Sequence, residues 1–181
     1  MSLSPETADQ MAAALYDARR TRVPVPPLIE SEPGMTMADG YAVQQRIVSR
    51  YLADGDRIVG YKLGLTSKPM QEMLGVDSPD FAPVMASHVI GDGASIHASD
   101  YIQPRLEAEL ALVLKDDLSG PDCTPLDVLR ATEGVVAAME LVDSRVADWR
   151  IKLPDTVGDM ASSGSIVIGG SITPLDDLDQ S

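Results

Sequence analysis

Seven side chains carry the chemistry that this sequence could do: Lys62, Asp80, Glu107, Glu109, Glu140, Ser162 and Ser163. In LEAEL two glutamates stand two residues apart, and side chains two apart on a strand share one face. Carboxylates held side by side repel, and a shared cation would stabilise them; Mg²⁺ and Mn²⁺ prefer oxygen ligands of this kind. A solvated strand face that happens to carry two glutamates is the simpler account of this pair taken alone, since E-x-E recurs by accident. Glu140 shifts the balance, because GVVAAMELV holds no other charge between Gly134 and Asp143. A carboxylate buried there without a partner costs on the order of several kcal/mol, so it must be neutral, ion-paired or bound to metal. Three carboxylates on neighbouring strands would form a facial set that leaves about three octahedral positions for water and a chelating substrate. The competing reading pairs Glu140 with Arg105 or Arg145.

Lys62 lies among apolar neighbours in GYKLGL, where its amine could hold a carboxylate or an enolate oxygen, or move a proton. A lysine on a half-exposed strand fits the same pattern. Asp80, in SPDF, reads as a loop residue able to serve as a general base, or simply as part of a turn. The hydroxyls of Ser162 and Ser163 precede a strand and could donate to a substrate. His88 and His97 lack the third ligand that a histidine metal site needs, and Trp149 reads as packing. Cys123 is the one cysteine, which excludes a disulfide framework and a thiolate zinc site.

These groups need elements to position them. Ser4-Pro5 reads as a cap with proline in the first turn, followed by Ala8, Met11, Ala12, Leu15 and Ala18 at helical spacing, to about Arg22. Residues 23–35, with four prolines, read as an extended connection. A second helix is expected from about Thr36 to Ala53, then a strand in RIVGYKLGLT, a short helix in SKPMQEML ended by Gly75, and a loop in VDSPDFAPV. PRLEAELALVL and GVVAAMELVDSRV read as buried strands, with the helix TPLDVLRATE between them. WRIKLPDTVGDMASSGSIVIGG reads as a loop with a final strand. No repeat or low-complexity tract interrupts the chain.

At 181 residues, 44% of them hydrophobic, the chain can bury a core without staples, so a metal here would serve chemistry. Its formal charge of −14 disfavours nucleic acid and anionic lipid, and no apolar run approaches bilayer length. A cytoplasmic enzyme without a membrane segment is expected. An acidic protein that binds a carboxylate must neutralise it locally, which a bound cation or a buried lysine would do.

Taken in order, GYKLGLTSKPMQEMLGVDSPDF, PRLEAELALVL, AAMELVDSRVADWRIKLPDT and ASSG resemble the 2-keto-4-pentenoate (2-hydroxypenta-2,4-dienoate) hydratase family, within the fumarylacetoacetate hydrolase superfamily. The resemblance runs from about residue 5 to 175. It implies an α+β fold, with N-terminal helices on a β-rich roll or incomplete barrel. It also implies Glu107, Glu109 and Glu140 as ligands of Mg²⁺ or Mn²⁺, and Lys62, Asp80 and one of Ser162 or Ser163 as active-site groups. On this reading residues 1–80 line the site and 81–181 begin the catalytic core, as one functional unit.

The implied reaction adds water to a small 2-hydroxydienoate to give a 4-hydroxy-2-oxo acid, in aromatic or steroid ring catabolism. A sister 2-oxo-3-enedioate decarboxylase, an acylpyruvate-type hydrolase and a metal-binding subunit that does not turn over are the alternatives. A homo-oligomer is expected, with a pathway aldolase or decarboxylase as a further partner. The sequence departs from the family at Ala82, where glycine is common, and at Met160, where asparagine is common. Family members also continue past DDLDQS with a stretch that completes the β-rich core, so a fragment or a shortened natural product is expected.

Overall fold

A computed structural model of the chain describes residues 2–74 and 76–178, so Gly75, the expected helix terminator, lies outside the described residues. Helix α1 (Pro5–Thr21) starts where Ser4 Oγ accepts the Thr7 amide, and α3 (Met37–Ala53) starts on a reciprocal box between Thr36 and Asp39. Ala8, Met11, Leu15, Val43 and Ile47 bury one face of each helix in a common core, joined by Ala82, Met85, Val146 and Met160. The proline-rich connection is not wholly extended: Leu28–Ser31 form a helical turn, α2, and Leu28 is buried. Four residues are too few to show periodicity.

β1 (Ile58–Gly64) pairs antiparallel with β2 (Asp80–Met85), while α4 (Lys68–Leu74) lies between them in the chain. VDSPDFAPV is therefore a loop only in its first part. Its second part is a strand, and Pro83 hid it because proline usually demotes a strand. The second sheet has the order β3 (Val89–Gly91), β6 (Ser163–Ile168), β5 (Thr132–Val142), β4 (Arg105–Leu114), and β7 (Thr173–Pro174) pairs with β5 as well. Among the described strands of this sheet, β3–β6 is the one parallel pairing. α5 (Pro125–Ala131), capped by Thr124, joins β4 to β5 and stops short of Thr132, which already belongs to the strand.

The expected loop before the last strand contains α6 (Leu153–Gly158), which packs closely on α3. Gly40 permits this approach, since a Cβ there would stand 2.8 Å from Pro154 O. β4 also differs from expectation: it is an edge strand, largely exposed on both faces, and Leu110 keeps 75% of its surface. Its apolar side chains reflect a face uncovered among the described residues. No described helix is long and apolar enough to cross a membrane.

His88 is buried edge-on against Tyr51, 4.9 Å between ring centres, and its Nε2 has no partner among the described residues. Burial pushes the imidazole pKa down to about 3, with Arg19 and Arg145 adding to the effect. Because the folded value lies below the ordinary one of about 6.5, an unfolded chain takes up a proton that the folded chain refuses, and stability falls as pH drops from 6.5 toward 3. Urea denaturation should show this loss, up to about 1.4 kcal/mol per pH unit, and His88→Leu should remove that part of the slope. Equal slopes in both proteins would refute it.

Candidate active site

The β4–β5 register sets Glu107 directly opposite Glu140, so both side chains project from one face, and strand alternation adds Glu109 to it. One carboxylate oxygen from each of the three lies within 4.8 Å of the others. Glu140 is 4% exposed, whereas Glu107 and Glu109 are exposed. Burial raises the Glu140 pKa, Lys62 opposes this, and the facing Glu107 adds to the rise. Cross-strand glutamates of like charge disfavour this pairing unless a cation lies between them.

A cation is already at hand. Lys62 Nζ stands 2.9 Å from Glu140 Oε1, both side chains being at least nine-tenths buried, and it donates to Ala161 O at 2.9 Å. The ammonium charge of Lys62 favours the ionised form of Glu140. Glu140 thus pairs with Lys62, and neither arginine weighed from the sequence is its partner. The Arg105 guanidinium lies over the Trp149 ring, 4.1 Å from its centre, and Arg145 is engaged with Asp159. Three converging carboxylate oxygens, one of them from the buried Glu140, suit a hard divalent cation.

Lys62 reaches the glutamates because β1 alternates: Lys62 and Gly64 point inward, while Tyr61 and Leu63 face solvent. Across the ribbon, Gly64 is paired with Asp80 and Lys62 with Ala82, which places Asp80 on the same inward face. Asp80 is 3% exposed, and its Oδ1 has no hydrogen-bond partner among the described residues. Burial raises its pKa, and the charge of Lys62 works against that rise. Tyr41 stacks on Phe81 with ring centres 4.8 Å apart, and its hydroxyl accepts the Phe81 amide at 3.3 Å. Gln44 ties the same strand to α6 by donating to Phe81 O and Val157 O, each at 3.0 Å.

Ala161 O, which receives Lys62, belongs to a strained turn. Met160, Ala161 and Ser162 have φ of 56°, 50° and 52°, left-handed values that cost about 1–3 kcal/mol each for residues other than glycine. A buried arginine holds this turn. Arg145 donates through Nε to Asp159 Oδ1 at 2.5 Å, through its backbone amide to Oδ2 at 2.8 Å, and through Nη1 to Asp143 O and Ser163 O at 2.5 and 2.6 Å; Nη2 donates to Asp159 O. Arg19 adds donations to Ser163 O and Gly164 O. At Met160, the position where asparagine is common in the family the sequence resembles, the backbone adopts the conformation that asparagine tolerates best, and the methionine side chain is buried in the core.

The fold therefore brings Lys62, Glu107, Glu109 and Glu140 together, with Asp80 on the ribbon beside them. The Ser163 hydroxyl helps to stabilise the charged Glu140. Ser162 is turned elsewhere, its Oγ 3.1 Å from Thr156 Oγ1 on α6. Sequence reading gave no role to Asp159, Arg19 or Gln44. Arg145 and Asp159 are fourteen residues apart, and no periodicity links them. The dense run of polar residues DSR after an apolar strand was the available signal.

No protein-family model matches the chain. It is 46% identical over 167 residues to a 2-hydroxyhexa-2,4-dienoate hydratase of Comamonas testosteroni, which covers 91% of this chain and 63% of that protein. It is 44% identical over 162 residues to a 2-hydroxypent-2,4-dienoate hydratase of Pseudomonas putida, covering 89% of this chain and 73% of that one. A solved 4-oxalocrotonate decarboxylase from Pseudomonas putida G7, complexed with magnesium and adipate, superposes with a TM-score of 0.94 at 32% identity, covering 98% of this chain and 68% of that chain. A second structure of that decarboxylase, complexed with calcium and acetate, gives 0.91. A mixed α+β fold with a carboxylate site thus defines the class. Within it, the chain belongs to the 2-keto-4-pentenoate hydratase family. It spans just under two thirds of the length of some of these relatives, 63% of the Comamonas testosteroni protein and 64% of a 2-keto-4-pentenoate hydratase of Paraburkholderia xenovorans.

Removing Arg145 would leave Asp159 as an uncompensated charge at a fully buried position. Arg145→Met should therefore cost about 3–5 kcal/mol in urea denaturation, and Arg145→Met with Asp159→Leu should cost less than the single change. A single-variant loss below about 1 kcal/mol would show that the arginine does not hold the turn.

Proposed function

We propose that this chain carries the catalytic site of a divalent-metal-dependent hydratase that adds water to 2-hydroxypenta-2,4-dienoate to give 4-hydroxy-2-oxopentanoate. The convergence of Glu107, Glu109 and Glu140 beside Lys62 is the observation that carries this reading, and the names of the relatives support its substrate class. Mg²⁺ or Mn²⁺ suits three carboxylate oxygens, and the related decarboxylase has been solved with magnesium and with calcium. When bound, the cation supplies positive charge at the 2-oxygen and carboxylate of the substrate.

The chain's own groups then divide the work. Lys62 holds negative charge as it develops on the 2-oxygen. Asp80, whose Oδ1 has no partner among the described residues and whose pKa is raised by burial, suits proton transfer. It takes the 2-hydroxyl proton while C5 gains one, giving the 2-oxo-3-enoate. Water then adds its hydroxyl to C4 and its proton to C3. The Ser163 hydroxyl steadies Glu140, and Ser162 supports the turn through Thr156. Residues 1–80 supply Lys62 and Asp80 to the glutamates of 81–181, as one functional unit. The exposed row Leu106, Leu110, Leu112 and Leu114 supports assembly into a homo-oligomer, and a cytoplasmic role in ring catabolism fits the substrate.

The close match to a decarboxylase favours one second reading, action on a 2-oxo-3-enedioate with loss of carbon dioxide. Ultraviolet absorbance of 2-hydroxypenta-2,4-dienoate should fall in the presence of Mg²⁺ or Mn²⁺ and stay constant with EDTA. Release of carbon dioxide from 4-oxalocrotonate, without loss of the dienoate, would replace the hydratase reading by the decarboxylase one.

A further inference from the structure

Gly64 ends β1 directly across from Asp80, and its backbone does not need a glycine. The positive-φ glycines among the described residues are Gly55, Gly93 and Gly120, so Gly64 takes a conformation open to any L residue. The demand is for space. A Cβ built on Gly64 would stand well inside 3.0 Å of Asp80 Oδ1, a separation real Cβ atoms essentially never show, and its nearest neighbours all belong to the Asp80 carboxyl group. Gly60, four residues earlier on the same strand, faces open space instead, with nothing within 4 Å of a built Cβ. The chain leaves β1 through Leu65, whose φ is 56° and whose carbonyl accepts Gln71 Nε2 at 2.8 Å, so the strand end is anchored beyond the glycine.

We propose that Gly64 is a positioning residue for Asp80, its missing side chain forming the seat that holds the carboxyl group in the buried inward position beside Lys62. A methyl group at position 64 meets no backbone atom from across the ribbon nearer than 3.6 Å. The movable partner is the carboxyl group itself, so Gly64→Ala turns Asp80 outward and leaves the ribbon intact. The role assigned to Asp80 rests on the hydratase reading, whereas the seat rests on geometry alone.

Two measurements on the full chain separate these points, with Gly60→Ala as the matched control. The first is a ¹³C NMR titration of the Asp80 carboxyl group, assigned by its absence in Asp80→Asn; Lys62 and Tyr41 are the titratable neighbours that share its field. In Gly64→Ala the carboxyl should titrate lower, toward ordinary aspartate, while Gly60→Ala matches the parent. An unchanged titration in a Gly64→Ala protein with parental circular dichroism overturns the seat. The second is dienoate turnover in a double-mutant cycle. Gly64→Ala should lower kcat at least about tenfold with KM within about twofold, and by less than about twofold in an Asp80→Asn background. A lower carboxyl titration without any turnover by the parent chain keeps the seat and rejects the hydratase reading. Equal losses in both backgrounds reject the link to Asp80. If Gly64→Ala does not fold while Gly60→Ala does, the methyl group meets more than a movable carboxyl group, and the proposal is overturned.

Discussion

The carboxylate of Glu140 must have positive charge beside it. It sits in an apolar strand at 4% exposure with another glutamate facing it, a position in which an unpaired charge costs on the order of several kcal/mol. The described structure meets this demand with Lys62, drawn from a different sheet at 2.9 Å. That requirement couples the two halves of the site. The ribbon of β1 and β2 must lie against the sheet of β5 and β6, and the segment between β5 and β6 must bring Ala161 O to the same ammonium group.

Holding that segment in place uses the second buried ion pair. Arg145 spreads its donors over Asp159, Asp143 and Ser163, and these bonds offset three consecutive left-handed residues. One pair thus supplies charge at the site, and the other supplies shape. The helices contribute the apolar core beneath both, with α6 drawn close to α3 at Gly40.

Much of this was legible in the sequence where a local rule applied. The cap at Ser4, the periodicity of the first helix and the spacing of Glu107 and Glu109 each follow from short-range geometry. The partner of Glu140 was not legible, because Lys62 is seventy-eight residues away and both candidate arginines are nearer in sequence. β2 was hidden by Pro83, and α6 by its shortness and the proline at its start. The exposure of β4 was invisible for another reason: its leucines follow a buried-strand pattern although no described element covers them. Hydropathy records what a face is made for and does not identify what lies on it.

The central claim is that three glutamates from two strands act as one cation site. Its most direct test is calorimetric titration of the metal-free chain with Mn²⁺. The account predicts binding of a single ion, weakened at least about tenfold by Glu140→Gln and likewise by Glu107→Gln. Absence of binding, or an affinity that Glu140→Gln leaves unchanged, would contradict it.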